Sequence, residues 1–310
     1  MDVEKIKKSL VSKTTTLTTW KSLSRRKESK MAINCDSFIH PKDRAALTAL
    51  RKIPLLGTLL SLSMRFVDEM QLEGVFMASM IRLSERQFPR IYKLFMEVCE
   101  SLELTEAERP QLFIEMNPIP NAYTIGNTKT FISIHSGMVD MCTDEELKAV
   151  IAHECGHIVC HHMLYHTLAL KIAQRGVDYL SGSLTQAVIE KIAQLAVPAL
   201  MYWSRCSEYS ADRISAWCTN SPKSTSRLMV KLAGGPATDA SYTRDAFDID
   251  EYFKQLESLE KMLDENKYKN LLNFGASLYL DHPFTGFRVT ELLKWWNDPL
   301  KPALPINNVH

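Results

Sequence analysis

His153-Glu154-Cys155-Gly156-His157 is the stretch on which the reading of this chain turns. Ten residues upstream of His153, Thr143 followed by Glu146 forms a capping box, in which each side chain satisfies the other residue's backbone N–H at the start of a helix. Leu147, Val150 and Ile151 then carry an apolar helical pattern straight into the motif. The five residues therefore lie on a helix, where positions four apart share a face. His153 and His157 can direct their imidazoles at one point, as two ligands of a single zinc ion do.

Glu154 adjoins the first of these histidines and is placed to take a proton from a water activated there, which implies hydrolysis of an amide. A match this short arises by chance in roughly one or two sequences per hundred of such composition, so its surroundings must decide. Gly156 leaves room beside the metal. A hydrolytic zinc needs a third protein ligand and one open position, and the segment from Ser204 to Asp212 offers Glu208. Asp212 lies one helical turn beyond Glu208 and can accept a hydrogen bond from the distal N–H of a ligand histidine, fixing its tautomer. The longer metzincin arrangement is absent, because Cys160 and Met163 stand where its Gly and His would be. His161, His162 and His166 are expected to continue the same helix as outer or solvated residues, with a second metal as the alternative, and Cys155 to be a packed thiol on another face.

The remainder of the 310 residues narrows the setting. A net charge of +1, with no basic cluster interleaved with aromatics, argues against a nucleic-acid partner. Seven cysteines without CxxC pairs read as free thiols of a reducing compartment, so the cytoplasm is expected. Residues 1–35 are basic and rich in Ser and Thr, which predicts a disordered tail and leaves an organelle-targeting role open. The most apolar stretch, Leu195 to Trp203, contains Pro198 and falls short of the ~20 residues that cross a bilayer. Residues 41–70 predict two short amphipathic helices, packed on the core or touching a membrane surface. Pro89 opens a helix that buries Ile91, Leu94, Phe95, Val98 and Leu102, and residues 111–137 carry β-prone runs that predict a small sheet with one hairpin.

The ordered set His153-Glu154-Cys155-Gly156-His157, Glu208 to Asp212, and His282-Pro283 with Arg288 resembles the gluzincin family that includes the HtpX heat-shock protease and the type I CAAX prenyl protease. Asn121-Ala122-Tyr123 and Ser136-Gly137-Met138-Val139 extend the resemblance, which runs from about Pro89 to Leu293. It implies His153, His157 and Glu208 as zinc ligands, Glu154 as general base and Asp212 as the outer partner of a ligand. It further implies His282 as a stabiliser of the tetrahedral intermediate, and Arg288 as a partner of the acidic side of the site. Asn121, Ala122 and Tyr123 would lie near an edge strand that takes the substrate as an added strand. Asp281 and Cys155 depart from the common pattern without removing a required group. The best-known relatives are integral membrane enzymes, and no spanning helix is expected here, so prenyl processing and membrane quality control do not carry over.

The expected fold is mainly helical α+β: a zincin-like metallopeptidase domain over residues 36–310, with a small sheet (111–137) packed on a zinc helix (143–166) and a third-ligand helix at 204–218. The expected function is a zinc endopeptidase, holding one zinc ion and acting on peptides or unfolded proteins. Two alternatives stand beside it: a zinc-containing binding or chaperone-like protein without chemistry, and a latent peptidase gated by its N-terminal segment.

Overall fold

A computed structural model describes residues 33–53, 56, 69–175, 186–234, 249–264 and 285–303. Most of the basic tail, the second of the two expected amphipathic helices, and the His282-Pro283 pair lie outside the described residues. The elements are α1 (Pro41–Arg51), α2 (Glu69–Ser79), β1 (Ile81–Arg82), α3 (Pro89–Ser101), β2 (Gln111–Glu115), β3 (Ala122–Gly126), β4 (Thr130–His135), α4 (Ser136–Met141), α5 (Asp144–Val159), α6 (Met163–Arg175), α7 (Gln186–Cys218), α8 (Pro222–Leu232), α9 (Ile249–Asp264) and α10 (Thr285–Trp296).

The expected sheet has four strands in the order β1-β2-β4-β3. β3 and β4 form the predicted antiparallel hairpin, while β2 runs parallel to β4. Strand side chains alternate between faces, and here the two faces meet different partners. Leu112, Ile114, Ile132 and Ile134 join the main core with α3 and α5. Phe113, Ile125 and Phe131 pack instead on Phe76 of α2. β4 is buried along its whole length, and β3 is left as an edge. The turn between β3 and β4 requires glycine: Gly126 has φ 111°, and a Cβ there would lie 2.0 Å from the Lys129 carbonyl oxygen.

Helix α5 starts at the predicted capping box, with Thr143 as N-cap. Its apolar residues surround it, as suits a helix enclosed by others; Leu147, Ala149, Val150, Ile151 and Ala152 are all buried. Two helix boundaries differ from expectation. The zinc helix ends at Val159 rather than running to residue 166, because His161 adopts a left-handed conformation (φ 58°) and α6 starts afresh at Met163. The third-ligand helix, in contrast, is the end of a 33-residue helix that continues through Pro198. Proline removes one backbone donor from a helix, but the buried contacts of Leu200 and Trp203 hold the chain helical beyond it.

Gly156 serves the packing of α5 on α7 rather than space beside the metal. A Cβ at this position would stand 3.1 Å from the Ala211 Cα and 3.3 Å from the Ile214 Cβ. The two helices that carry the site are therefore spaced by this residue. Gly156→Ala is expected to destabilise the protein by about 1–3 kcal/mol through overpacking, read as a lower urea midpoint; an unchanged midpoint would contradict the contact.

Candidate active site

One helical turn of α5 and one of α7 face each other across the site. His153 and His157 project from α5 toward Glu208 of α7, and their Nε2 atoms are 3.3 Å apart. One Glu208 oxygen lies 3.4 Å from the His153 Nε2, and the other 3.4 Å from the His157 Nε2. A tetrahedral zinc with arms of about 2.0–2.1 Å holds its ligand atoms about 3.3–3.4 Å from one another. The three residues thus fit that ion in kind, and each histidine–histidine or histidine–carboxylate distance matches that spacing, with one Glu208 oxygen turned to each imidazole.

Charge points the same way. Burial alone would favour neutral His153, but the Asp212 and Glu208 carboxylates reverse this and push its pKa up to about 10. Surroundings that hold a proton on an imidazole this strongly also attract a divalent cation, which competes for the same nitrogen. For His157 burial prevails, and its pKa falls below the usual histidine value despite Glu208.

Outer partners fix these groups. The Asp212 Oδ1 lies 3.0 Å from the His153 Nδ1, so an N–H donated there leaves the Nε2 lone pair for a metal. Arg288 of α10 holds Asp212 through two hydrogen bonds, Nε to Oδ2 at 2.8 Å and Nη2 to Oδ1 at 2.6 Å, and its Nη1 lies 3.3 Å from Glu208. Burial works against the Asp212 carboxylate, but the guanidinium outweighs it and keeps the pKa below the usual carboxylate range.

Glu154 reaches toward the sheet, where the Thr124 hydroxyl of β3 donates to its carboxylate at 2.5 Å. A cleft of about 180 Å3 opens here; Asn121, Ala122, His153, Glu154, Glu208, Asp212 and Arg288 line it. Met138, Val150, Leu228, Met229 and Leu232 give it an apolar wall. Of the expected residues, all but two therefore converge. Tyr123 points to the other face of the sheet, where its hydroxyl donates to Glu115 at 3.1 Å and its ring meets Phe76. His282 lies outside the described residues. Thr124 was not singled out from the sequence, although strand alternation places it on the same face as Ala122.

The model of the family described as Peptidase family M48 matches residues 85–296. The chain belongs to peptidase family M48. This M48 chain is 30% identical over 267 residues to the plastoglobule-localized metallopeptidase 48, chloroplastic, of Arabidopsis thaliana, covering 85% of the present chain and 73% of that protein. It is 25% identical over 238 residues to a protease HtpX homolog of Trichormus variabilis, 68% of this chain and 75% of the other. A protease HtpX homolog 2 of Methanosarcina acetivorans is 26% identical over 175 residues, 49% of this chain and 58% of its own length. The resemblance to HtpX and the mainly helical α+β fold are thus borne out. M48 membership makes the chain a metallopeptidase-family protein, a family whose name implies a metal. Among the described residues, no helix is long and apolar enough to cross a membrane.

Proposed function

We propose that this M48 chain is a zinc-dependent endopeptidase that cuts peptides or unfolded proteins. The observation that carries this reading is the set His153, His157 and Glu208, whose donor atoms cluster at a cleft lined by His153, Glu154 and Glu208. When bound, zinc supplies Lewis acidity to the attacking water and to the scissile carbonyl.

The residues of the chain do the rest. Glu154 takes the proton of the attacking water and returns it to the leaving amine, and Thr124 holds the carboxylate in place through its hydrogen bond. Among the described residues β3 is an edge of the sheet, and it lies beside the cleft. A substrate main chain laid along it as an added strand would present its scissile bond to Glu154, with little dependence on sequence. The apolar wall formed by Met138, Val150, Leu228, Met229 and Leu232 favours an apolar side chain next to that bond. His282 is the proposed donor to the developing oxyanion.

A binding protein with a purely structural metal has no use for a carboxylate aimed into the cleft, so Glu154 favours the enzyme. α1 gives no residue to the cleft wall among the described residues, which leaves an occluding role to segments outside them. The chloroplastic relative's name and the Ser- and Thr-rich tail are consistent with the organelle-targeted alternative to the cytoplasm. Cleavage of unfolded casein tests the main reading: it should stop with a chelator and return with added zinc. Cleavage that continues in the chelator would overturn it.

A further inference from the structure

Helix α5 ends without a glycine. The His161 N–H donates to the Ile158 carbonyl at 3.0 Å, and the His162 N–H donates to the His157 carbonyl at 2.9 Å. This is the Schellman pattern, which folds the second residue past the cap back over the third residue from the helix end. An apolar contact usually joins those two side chains. Here they are two imidazoles, with the His157 Nδ1 and the His162 Nδ1 3.1 Å apart. One nitrogen must donate and the other accept.

The third member of the chain decides the direction. Asp43, in the first turn of α1, is buried, and its Oδ2 lies 3.0 Å from the His162 Nε2. The same carboxylate accepts from the Ser210 hydroxyl at 2.6 Å and from the Trp203 Nε1–H at 2.9 Å. An indole nitrogen can only donate, so Asp43 is an acceptor surrounded by donors, and the helix N-terminus favours its negative charge. The His162 Nε2 therefore carries hydrogen, and the Nδ1 of neutral His162 accepts. The hydrogen between the imidazoles belongs to the His157 Nδ1, which leaves the His157 Nε2 with a lone pair facing Glu208.

We propose that His162 and Asp43 are positioning residues for the metal site: together they fix the Nδ1–H form of His157 and present its Nε2 to zinc. The inference rests on reading His157 as a zinc ligand. It gives the two ligand histidines separate outer partners, Asp212 for His153 and the His162–Asp43 pair for His157. It also makes α1 part of the site, although Asp43 precedes residues 85–296 that match the family. The competing use of these side chains is a second metal held by His157, His162 and His166, whose donor atoms also cluster. Both His162 nitrogens are already engaged, with His157 and Asp43, and the His166 Nε2 lies 2.8 Å from the Ser207 hydroxyl.

Zinc affinity of the metal-free, full-length chain, measured by competition with a chromophoric chelator, tests the proposal without recourse to activity. His162→Leu and Asp43→Asn are each expected to weaken zinc binding roughly 10- to 100-fold, the range seen for outer partners of ligand histidines. His162→Asn should stay within about threefold of the unchanged protein, because its amide oxygen can accept in place of Nδ1. Thermal melts of the metal-free proteins identify any variant that does not fold; if His162→Leu is one, the contrast of Asp43→Asn with His162→Asn decides. Full affinity in Asp43→Asn, or equal weakening by Asn and Leu at 162, would overturn the proposal. So would two zinc ions per unchanged chain, with one lost in His162→Leu. His157→Leu separates the premise: undiminished zinc binding there would remove His157 as a ligand, whereas its loss beside unaffected Asp43→Asn would refute only the pair.

Discussion

Glu154→Gln is expected to lower kcat for casein cleavage by about 10²- to 10⁴-fold, the usual worth of a positioned general acid–base, while zinc content stays at that of the unchanged protein. The two readouts separate because Glu154 stands outside the ligand triad. It faces Thr124 on β3, and the proposed ligands His153 and His157 face Glu208 on α7. Glutamine keeps the size of the side chain and an oxygen that can accept from the Thr124 hydroxyl, so packing at the cleft floor is preserved. What it loses is the ability to take a proton. Activity within tenfold of the unchanged enzyme would show that another group is the base.

Replacement of Arg288 acts on stability. Its guanidinium lies between Asp212 and Glu208, both almost wholly buried, and bridges α10 to α7. Burial disfavours the charged arginine, but the two carboxylates outweigh it and raise its pKa above the usual value. Arg288→Leu removes the guanidinium that both carboxylates share and leaves them buried against imidazoles alone, with His153 beside Asp212 and His153 and His157 beside Glu208; loss of a buried ionic partner costs about 3–5 kcal/mol in comparable pairs. Urea unfolding of the metal-free protein should register that loss. Zinc beside Glu208 compensates part of the missing positive charge, so the loss should be smaller in the zinc-loaded form. A change below about 1 kcal/mol in the metal-free form would mean that the carboxylates find other partners.

The difference between what could and could not be read beforehand follows from the range of the forces involved. The start of α5 is written in contiguous residues: Thr143 and Glu146 close a capping box whatever lies around them. The hairpin at Gly126 and the proline that opens α3 are local in the same sense. Glu208 and Asp212 were legible because both lie on one helical face. The end of α5 was not, because a left-handed His161 carries no glycine signal and is held by backbone bonds closing on His157 and Ile158. The passage of α7 through Pro198 depends on buried packing around Trp203, which a local pattern does not display.

Asp43 illustrates the limit best. Within its own segment it is an ordinary acidic residue in the first turn of an amphipathic helix, the place such residues prefer. Only the tertiary structure shows that positions 43, 46 and 50 form the buried stripe and that the acid is on the inside. Its partners His162, Trp203 and Ser210 are more than a hundred residues away in sequence. Thr124 was missed for a related reason, since an edge-strand threonine gains meaning only when a helix brings Glu154 to it.

X-ray absorption at the zinc edge, on protein loaded with one equivalent, tests the central claim that His153, His157 and Glu208 hold a single catalytic ion. Two imidazole nitrogens at about 2.0–2.1 Å are expected, with oxygen donors completing the shell and no sulfur. A scatterer at about 2.3 Å, the zinc–sulfur distance, or a third imidazole would contradict it.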